Sequence, residues 1–415
     1  YDIISPQEQR ALHARSPYNV VRLEYGESRQ DDREDDNRYT RAASTLADWL
    51  AAGILVADEQ PSFYVYDQEF QHAGRQYRRR CLLARVRLEE WAKGAIRPHE
   101  HTLPLPKKDR LRLLRACRAN LSPVFALYRD HDQAIGRALA QAIAASNPTA
   151  VAQKSGETHT LWAIADEQAQ RWLREQFAPL NLYIADGHHR YETALAYRDE
   201  RRAAATTWTG EEPESFALLG LTAADDPGLL VLPIHRLARL SLSEDEVLQR
   251  LRRYVSVEEV ATEGASDEAA VQRLLDLMAE RGQTATAFGL CGPDERRLFL
   301  LTLDDAEGLV RRLCPDCPAA WRDLDVAVLD LAVLGMILRI DPEPIEEGGC
   351  VAFIDDPGQA WHEVRAGRYS AAFLVNPVRV EQILALADAG RRMPRKSTFF
   401  HPKLATGLVI NRLDH

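Results

Sequence analysis

The stretch NLYIADGHHRYETALAYRDE, Asn181 to Glu200, decides the reading of this chain. Leu182, Tyr183, Ile184 and Ala185 form a short apolar run of strand-like composition, and Asp186-Gly187 breaks it. Tyr191, Ala194 and Leu195 then recur at helical spacing, which predicts strand, tight turn and helix in succession. His188, His189 and Arg190 fall in the first turn of that helix, where free backbone N–H groups and the positive end of the dipole favour an anion. Helix stability alone does not select three basic side chains there, because they oppose the dipole. A bound phosphate resolves the conflict by neutralising both. Asp186, at the strand's end, is placed to hold a metal such as Mg²⁺ or to orient a histidine. The plain alternative is a solvated turn with an aspartate cap.

The rest of the chain sets the frame. With 415 residues it has room for two or three domains and a substantial core. A hydrophobic content of 46% and a charged content of 27% describe an ordinary globular protein. The net charge of −10 argues against broad binding to nucleic acid or anionic membrane. No apolar run reaches the length of a membrane span and no signal-peptide pattern is seen. Six cysteines in so long a chain suggest no disulfide framework, so a cytoplasmic setting is expected. Cys314-Pro315-Asp316-Cys317 has CxxC spacing without a second pair to complete a zinc site. The composition is compatible with a homo-oligomer.

Patterning predicts an α/β (α+β) fold with a mixed sheet. Ser5-Pro6-Gln7-Glu8 opens a helix. SPYNVVRLEYG, from Ser16, reads as a turn and a strand, and Glu27 to Asn37 as an acidic solvated loop. Arg38 to Ala52 is an amphipathic helix stopped by Gly53. Ser62 to Phe70 and Tyr77 to Leu88 read as paired strands across an Ala-Gly-Arg turn. A helix is expected from Leu111 to Ala119, a strand in SPVFALY and a helix from Asp132 to Ala145. Thr158 to Ile164 is strand-like, and Glu167 to Phe177 is a helix capped by Asp166. Phe216 to Ala223 and Leu229 to Pro233 are strands flanking the turn signal Asp225-Asp226-Pro227-Gly228. His235-Arg236 follows directly, a second pair of donors for the same sheet end.

Residues 1–240 then form a main domain, 241–305 a smaller inserted α/β subdomain, and 306–415 a C-terminal segment completing the main site. The subdomain takes in helices at Glu244–Tyr254 and Asp267–Arg281 and strands at Thr286–Cys291 and Arg297–Leu303. Trp321 to Arg339 is an apolar, mostly helical segment. Gly349–Asp355, Ala372–Val375 and Glu381–Ala389 read strand, strand, helix.

Two other stretches carry chemistry. IRPHEHTLPLPKKDR, Ile96 to Arg110, packs His99, Glu100, His101 and Thr102 between prolines outside any periodicity. Polar, titratable residues on a loop are what a catalytic site needs, and ordinary loops contain them too. No second histidine follows at HExxH spacing. The chain closes with GRRMPRKSTFFHPKLATGLVI, in which Lys396, Ser397, Thr398 and Lys403 are donors suited to phosphate or carboxylate, or to a plain basic loop.

Taken together, YDIISP, SPYNVVRLE, PHEHTLP with KKDRL, NLSPVFALY, ADGHHRYETAL, LPIHRL and MPRKSTFFHPK with TGLV resemble, in this order, a widespread bacterial family catalogued as a conserved domain of unknown function. In that family a segment ending in a proline pair precedes the tyrosine that is Tyr1 here. More locally, DGHHR followed by a helix resembles the phosphate-binding box of ParB-like folds, and most closely that of ParB-like free-serine kinases. That resemblance implies that Asp186, Gly187, His188, His189 and Arg190 hold nucleotide phosphates, and that a glutamate acts as base on the acceptor hydroxyl. Glu100 is the candidate base, with His99 and His101 facing the substrate.

The expected function is therefore a small-molecule kinase that moves a phosphoryl group from ATP or ADP, with Mg²⁺, to the hydroxyl of an amino acid such as L-serine. Arg97, His188, His189, Arg190, Lys396, Ser397, Thr398 and Lys403 are its candidate phosphate donors, and Glu100 and Asp186 its catalytic carboxylates. GxxxxGK[ST] and GxGxxG loops are absent, so the anchor helix must do their work. Two alternatives stay open. One is a metal-dependent hydrolase using His99, His101, His188, His189 and Asp186. The other is a ParB-like nucleotide-binding module with no small acceptor.

Overall fold

The computed structural model describes residues 4–144, 146–154, 156–262, 264–292, 297–313, 315, 319–322, 324–341, 344–345 and 349–414. Cys314 and Cys317 of the CxxC pair, and Tyr1 to Ile3, lie outside the described residues. The chain forms two compact units. The first comprises residues 1–98, 102–229 and 402–415; the second comprises 99–101 and 230–401.

The first unit is built on a mixed eight-stranded sheet. Its strands are β1 (Phe63–His72), β2 (Arg75–Arg87), β3 (Ile96–Arg97), β5 (Val124–Tyr128), β6 (Ala150–Lys154), β7 (Glu157–Ile164), β8 (Leu182–Asp186) and β9 (Phe216–Ala223). The order is β3-β8-β5-β9-β2-β1-β7-β6, with β3 parallel to β8 and β5 parallel to β9. The short strand β4 (Ala119–Asn120) pairs instead with Asn411–Arg412 near the C-terminus. Strands β1 and β2 turn through Ala73-Gly74, both at positive φ, a two-residue hairpin tighter than the predicted three-residue turn. Helices α5 (Ala134–Ile143), α6 (Glu167–Phe177) and α7 (His188–Ala204) cover a core that includes Val65, Leu82, Val124, Ala126, Ile184, Tyr191, Leu195 and Leu219. Asp186 occupies the carboxyl end of β8, and Gly187 at φ +90° turns the chain into α7.

Three expectations are corrected in this unit. NVVRLE is no strand: Val21–Glu24 form a one-turn helix, α2, which follows α1 (Pro6–Arg15). The Asn19 side chain accepts from Val21 N–H, and Val21 and Leu23 are buried on the helix's inner side. Its β-branched composition favoured a strand, but so short a segment is decided by tertiary burial. The helix after the HEHT loop, α4 (Pro104–Cys117), starts seven residues earlier than expected, with Pro104 and Pro106 in its first turn where their missing N–H is harmless. Strand β6 was unforeseen; its side chains are all exposed, so no apolar alternation announces it. Helix α3 (Arg38–Ala51) does end as predicted, with Gly53 at φ +68°.

The second unit holds β11 (His235–Ala238), β12 (Ser256–Val260), β13 (Thr286–Cys291), β14 (Leu298–Leu303), β15 (Val351–Ile354) and β16 (Ala371–Val375) in one antiparallel sheet. Its order is β12-β14-β13-β16-β11-β15. Residues 241–305 therefore do not close on themselves: β13 pairs with β16, which pairs with β11, so later strands complete the sheet. Strand β10 (Leu230–Leu232) pairs with β17 (Phe399–His401) in the same unit, rather than extending the first sheet beside β9. Helices α8 (Glu244–Leu251), α9 (Asp267–Arg281), α10 (Ala306–Leu313), α12 (Pro357–Arg365) and α13 (Val380–Asp388) accompany the sheet. The apolar segment becomes one turn of α-helix, α11 (Asp325–Val328), continued by a π-helix over Leu329–Leu338. No described helix is long and apolar enough to cross a membrane.

Asp325, at the start of this segment, supplies a pH test of the second unit. Burial raises its carboxyl pKa to about 6, against the opposing hydrogen bonds from Asn376 and Thr286. The folded state thus keeps a proton that the unfolded chain releases near pH 4. Stability from this group is full below that pH and is lost as pH rises through about 6, by about 3 kcal/mol. Asp325→Asn is expected to remove that loss and raise the melting temperature at pH 7–8 relative to pH 4, measured by thermal unfolding across pH.

Candidate functional site

The turn from β8 into α7 draws residues from distant parts of the first unit. Arg190 reaches back one helical turn, and its Nη2 donates to Asp186 Oδ2 at 2.6 Å. Its Nη1 donates to Ser122 Oγ at 3.2 Å and to the Pro123 carbonyl. The guanidinium lies flat against Gly187, where a Cβ would meet its Nε and Nη2 at 2.9 Å. Glycine at 187 thus serves both the left-handed turn and the seating of the arginine. Lys403 Nζ donates to Asp186 Oδ1, across 217 residues of sequence. The backbone around Lys403 is itself fixed: Arg79, almost fully buried, donates to the Pro402 carbonyl, and Gln68 donates to the Lys403 carbonyl at 3.1 Å.

Two cations therefore grip one carboxylate at a helix N-terminus. Burial alone pushes the Asp186 carboxyl up; Lys403 and Arg190 outweigh it and hold the group ionised well below the usual carboxylate range. Counting Lys403, Arg190 and Asp186, the cluster carries a net charge of +1. All three keep about a fifth of their side-chain surface exposed, at 23, 19 and 20%. An anion approaching this end of α7 meets partly dehydrated cations at the positive end of the helix dipole.

The two histidines of the box behave differently. His188 is buried. His189 Nε2 accepts from the Leu103 N–H at 2.9 Å, which ties α7 to the segment leading into α4. One turn on, Glu192 accepts from Thr102 Oγ1 and from Lys107 Nζ at 3.0 Å. Burial pushes its carboxyl up, and Thr102 and Lys107 more than offset that, leaving its pKa lowered. Sequence reading passed over Glu192; its YET context held no signal beyond helical spacing. Arg97, counted among the phosphate donors, lies in β3 beside β8 and donates to the Gly94 carbonyl at 2.7 Å, with its guanidinium over the Tyr183 ring.

The second unit gathers the remaining predicted residues. Its loop residues His99 and Glu100 meet the segment 392–398. Met393 N–H donates to the His99 carbonyl at 2.7 Å, and His99 Nε2 lies 3.2 Å from Thr398 Oγ1. Arg392 donates to the Glu100 carbonyl, and Lys396 N–H donates to Glu100 Oε1 at 3.3 Å. Lys396 adopts the left-handed conformation at φ +52°, which a non-glycine residue holds only under constraint. That constraint is Arg236 of the LPIHRL stretch. Its fully buried guanidinium pairs with Asp330 of the π-helix through two 2.9 Å bonds and donates to the Lys396 carbonyl at 3.0 Å. Arg236 is thus an internal clamp on the KST turn rather than an open donor. Ser397, a predicted phosphate ligand, is buried and donates to the Pro394 carbonyl at 2.6 Å. His101 belongs to this unit, whereas Thr102 belongs to the first.

The donor set does not fit a Mg²⁺ ion at Asp186 as placed. Both carboxylate oxygens already accept from cations, and Mg²⁺ asks for near-octahedral oxygen ligands. Among the described residues, no group of three or more His, Cys, Asp or Glu side chains is arranged to hold a metal. Asp186 instead seats Arg190 and Lys403.

The sequence profile of a family described as Protein of unknown function (DUF1015) matches residues 1–327. The chain belongs to that family. A search of curated proteins found no match. Among solved structures, this DUF1015 chain is similar to a conserved hypothetical protein from Pyrococcus furiosus, at 12% identity, 80% of this chain, 95% of that chain and a TM-score of 0.36. It is similar to a free serine kinase mutant in complex with ADP, at 14% identity, 77% of this chain, 86% of that chain and a TM-score of 0.37. It is also similar to C-terminally truncated SbnI from Staphylococcus aureus, at 11% identity, 79 and 87% coverage and a TM-score of 0.34.

Proposed function

We propose that this protein is a small-molecule kinase that transfers a phosphoryl group from ATP or ADP to the hydroxyl of an amino acid such as L-serine. The observation that carries the reading is the DGHHR turn itself. A net positive cluster of Lys403, Arg190 and Asp186 is assembled at the first turn of α7, in a box whose sequence resembles that of ParB-like free-serine kinases. Phosphoryl transfer asks little covalent chemistry of a protein and much positioning and charge. In this reading Lys403, Arg190 and the amides of residues 188–190 hold the nucleotide phosphates. Asp186 keeps both cations aimed. Glu100 accepts the proton of the acceptor hydroxyl as its oxygen bonds to phosphorus and the bond to the departing nucleotide breaks. The Lys396 amide donates to Glu100 Oε1 and so restrains the side chain's orientation.

The test is purified protein incubated with ATP or ADP, with and without added Mg²⁺, against a panel of hydroxylated amino acids and followed by ³¹P NMR. A new phosphomonoester resonance that depends on the acceptor supports the kinase. Nucleotide binding without transfer to any acceptor moves the protein to the binding-module class. Stoichiometric zinc or iron on elemental analysis, with no nucleotide binding, replaces both by a metal-dependent hydrolase.

A further inference from the structure

Five stretches singled out in the sequence meet in one chain of polar contacts inside the first unit. Arg190 of the DGHHR box touches Ser122 of NLSPVFALY, whose hydroxyl donates to Glu24 Oε1 of SPYNVVRLE at 3.2 Å. Arg110 of KKDRL donates to the same Glu24 oxygen at 3.1 Å and to the Glu24 carbonyl at 3.0 Å. The fifth, HPK, joins through Lys403 and Asp186. Glu24, Arg110 and Ser122 are all more than nine-tenths buried. A cavity of about 50 Å³ opens among Glu24, Arg110, Ser122, Arg190 and Thr193. Into this setting Arg190 brings a buried Nε–H, and Thr193 a buried Oγ1, neither with a hydrogen-bond partner.

Stability alone is a weak reason for this arrangement. A buried carboxylate and guanidinium lose hydration that their attraction seldom fully returns, so such pairs are weak evidence for stability. Orientation is a better account. A serine hydroxyl has one proton. With that proton given to Glu24, the lone pairs of Ser122 Oγ face the Arg190 guanidinium. Remove the Glu24 charge, and the hydroxyl is free to turn its proton towards a cation. The cavity gives Arg190 room to swing once that contact is weakened.

We infer that Glu24 is a positioning residue for the anion site, acting on Arg190 through Ser122. This rests on the reading of the first turn of α7 as a phosphate site. Arg190 has two routes of restraint, Asp186 in front and Ser122 with the Pro123 carbonyl behind. The front route opposes its charge to that of an incoming phosphate, and the rear route leaves that charge free to act. Glu24 governs the Ser122 half of the rear route.

The experiment has two arms on full-length protein. The first needs no ligand. In ¹⁵N-arginine-labelled protein the Arg190 Nε–H resonance, assigned by its loss in Arg190→Lys, is expected to be protected from solvent exchange. Glu24→Gln and Ser122→Ala are each expected to shift it and speed its exchange; an unchanged resonance in both overturns the inference. The second arm titrates ADP calorimetrically. Glu24→Gln is expected to weaken binding about five- to tenfold, the scale of one hydrogen bond. In the Ser122→Ala background the same change is expected to matter less than twofold. Equal losses in both backgrounds, with a lowered melting temperature, mean a merely structural role and overturn it. Should Glu24→Gln fail to fold, Ser122→Ala alone carries both arms, because it deletes one hydroxyl and leaves the ion pair intact. Wild-type protein that binds no ADP ends the phosphate reading, while the resonance still decides how Arg190 is held.

Discussion

Glu100→Gln is expected to lower kcat by about 10²–10⁴-fold, the usual contribution of a positioned general base. The substitution keeps the shape of the side chain and an oxygen for the Lys396 N–H to donate to, so the loop's local contacts survive. What it removes is the basic lone pair. A hydroxyl attacking phosphorus must lose its proton as the new bond forms, and an amide cannot take it. Nucleotide affinity is expected to change less than twofold, because the phosphates are assigned to the α7 turn and not to Glu100. Initial rates of phosphomonoester formation, with calorimetric nucleotide binding alongside, check both statements. Wild-type turnover in the variant would move the base elsewhere. Asp186 is then the next carboxylate to test, although its two cations leave it a poor proton acceptor. Asp109 follows; it is already held by Arg38, Tyr39 and Arg110.

What the sequence disclosed and what it hid follow from the range of the interactions involved. Strand β8, the glycine turn and α7 were legible because a short continuous apolar run gives way to a period near 3.6 across Asp186-Gly187, a purely local signal. The β1–β2 hairpin and the Asp166-capped helix α6 were legible for the same reason. Helix α2 was not: four residues carry too little period to override the strand preference of two valines. The domain boundary at residue 241 rested on a shift in composition. Composition carries no information about which strands share hydrogen bonds, and β13 finds its partner 85 residues or so downstream in β16.

The site shows the same division. Residue types were readable, whereas roles depended on partners hundreds of residues away. Lys403 read as a phosphate donor or a plain basic-loop residue, and nothing local showed that Asp186, 217 residues away, is its partner. Arg236 looked like an exposed donor and proved to be a buried clamp, because its partner Asp330 lies in an apolar helix that gives no hint of a pair. Glu24 gave no signal at all, since a carboxylate in a predicted strand reads as surface.

Arg190→Ala is expected to weaken nucleotide binding by about 1.5–3 kcal/mol, the range for losing a charge-assisted hydrogen bond. The cluster of Lys403, Arg190 and Asp186 then drops from a net charge of +1 to zero, and Asp186 turns from a seat for two cations into the partner of one. Lys403 would be more firmly neutralised by the carboxylate, which places the loss towards the upper end of that range. The effect is electrostatic, so it should shrink as salt is raised, while the wild-type affinity falls towards that of the variant. Gly187→Ala offers an independent route to the same end. A left-handed φ costs a non-glycine residue about 1–2 kcal/mol, and the new methyl would press on the guanidinium that rests there. Arg190 is then displaced without being removed. Calorimetric titration with ADP at two salt concentrations measures both variants. Unchanged affinity in Arg190→Ala would take the α7 turn out of the phosphate role altogether, whatever the enzyme's acceptor proves to be.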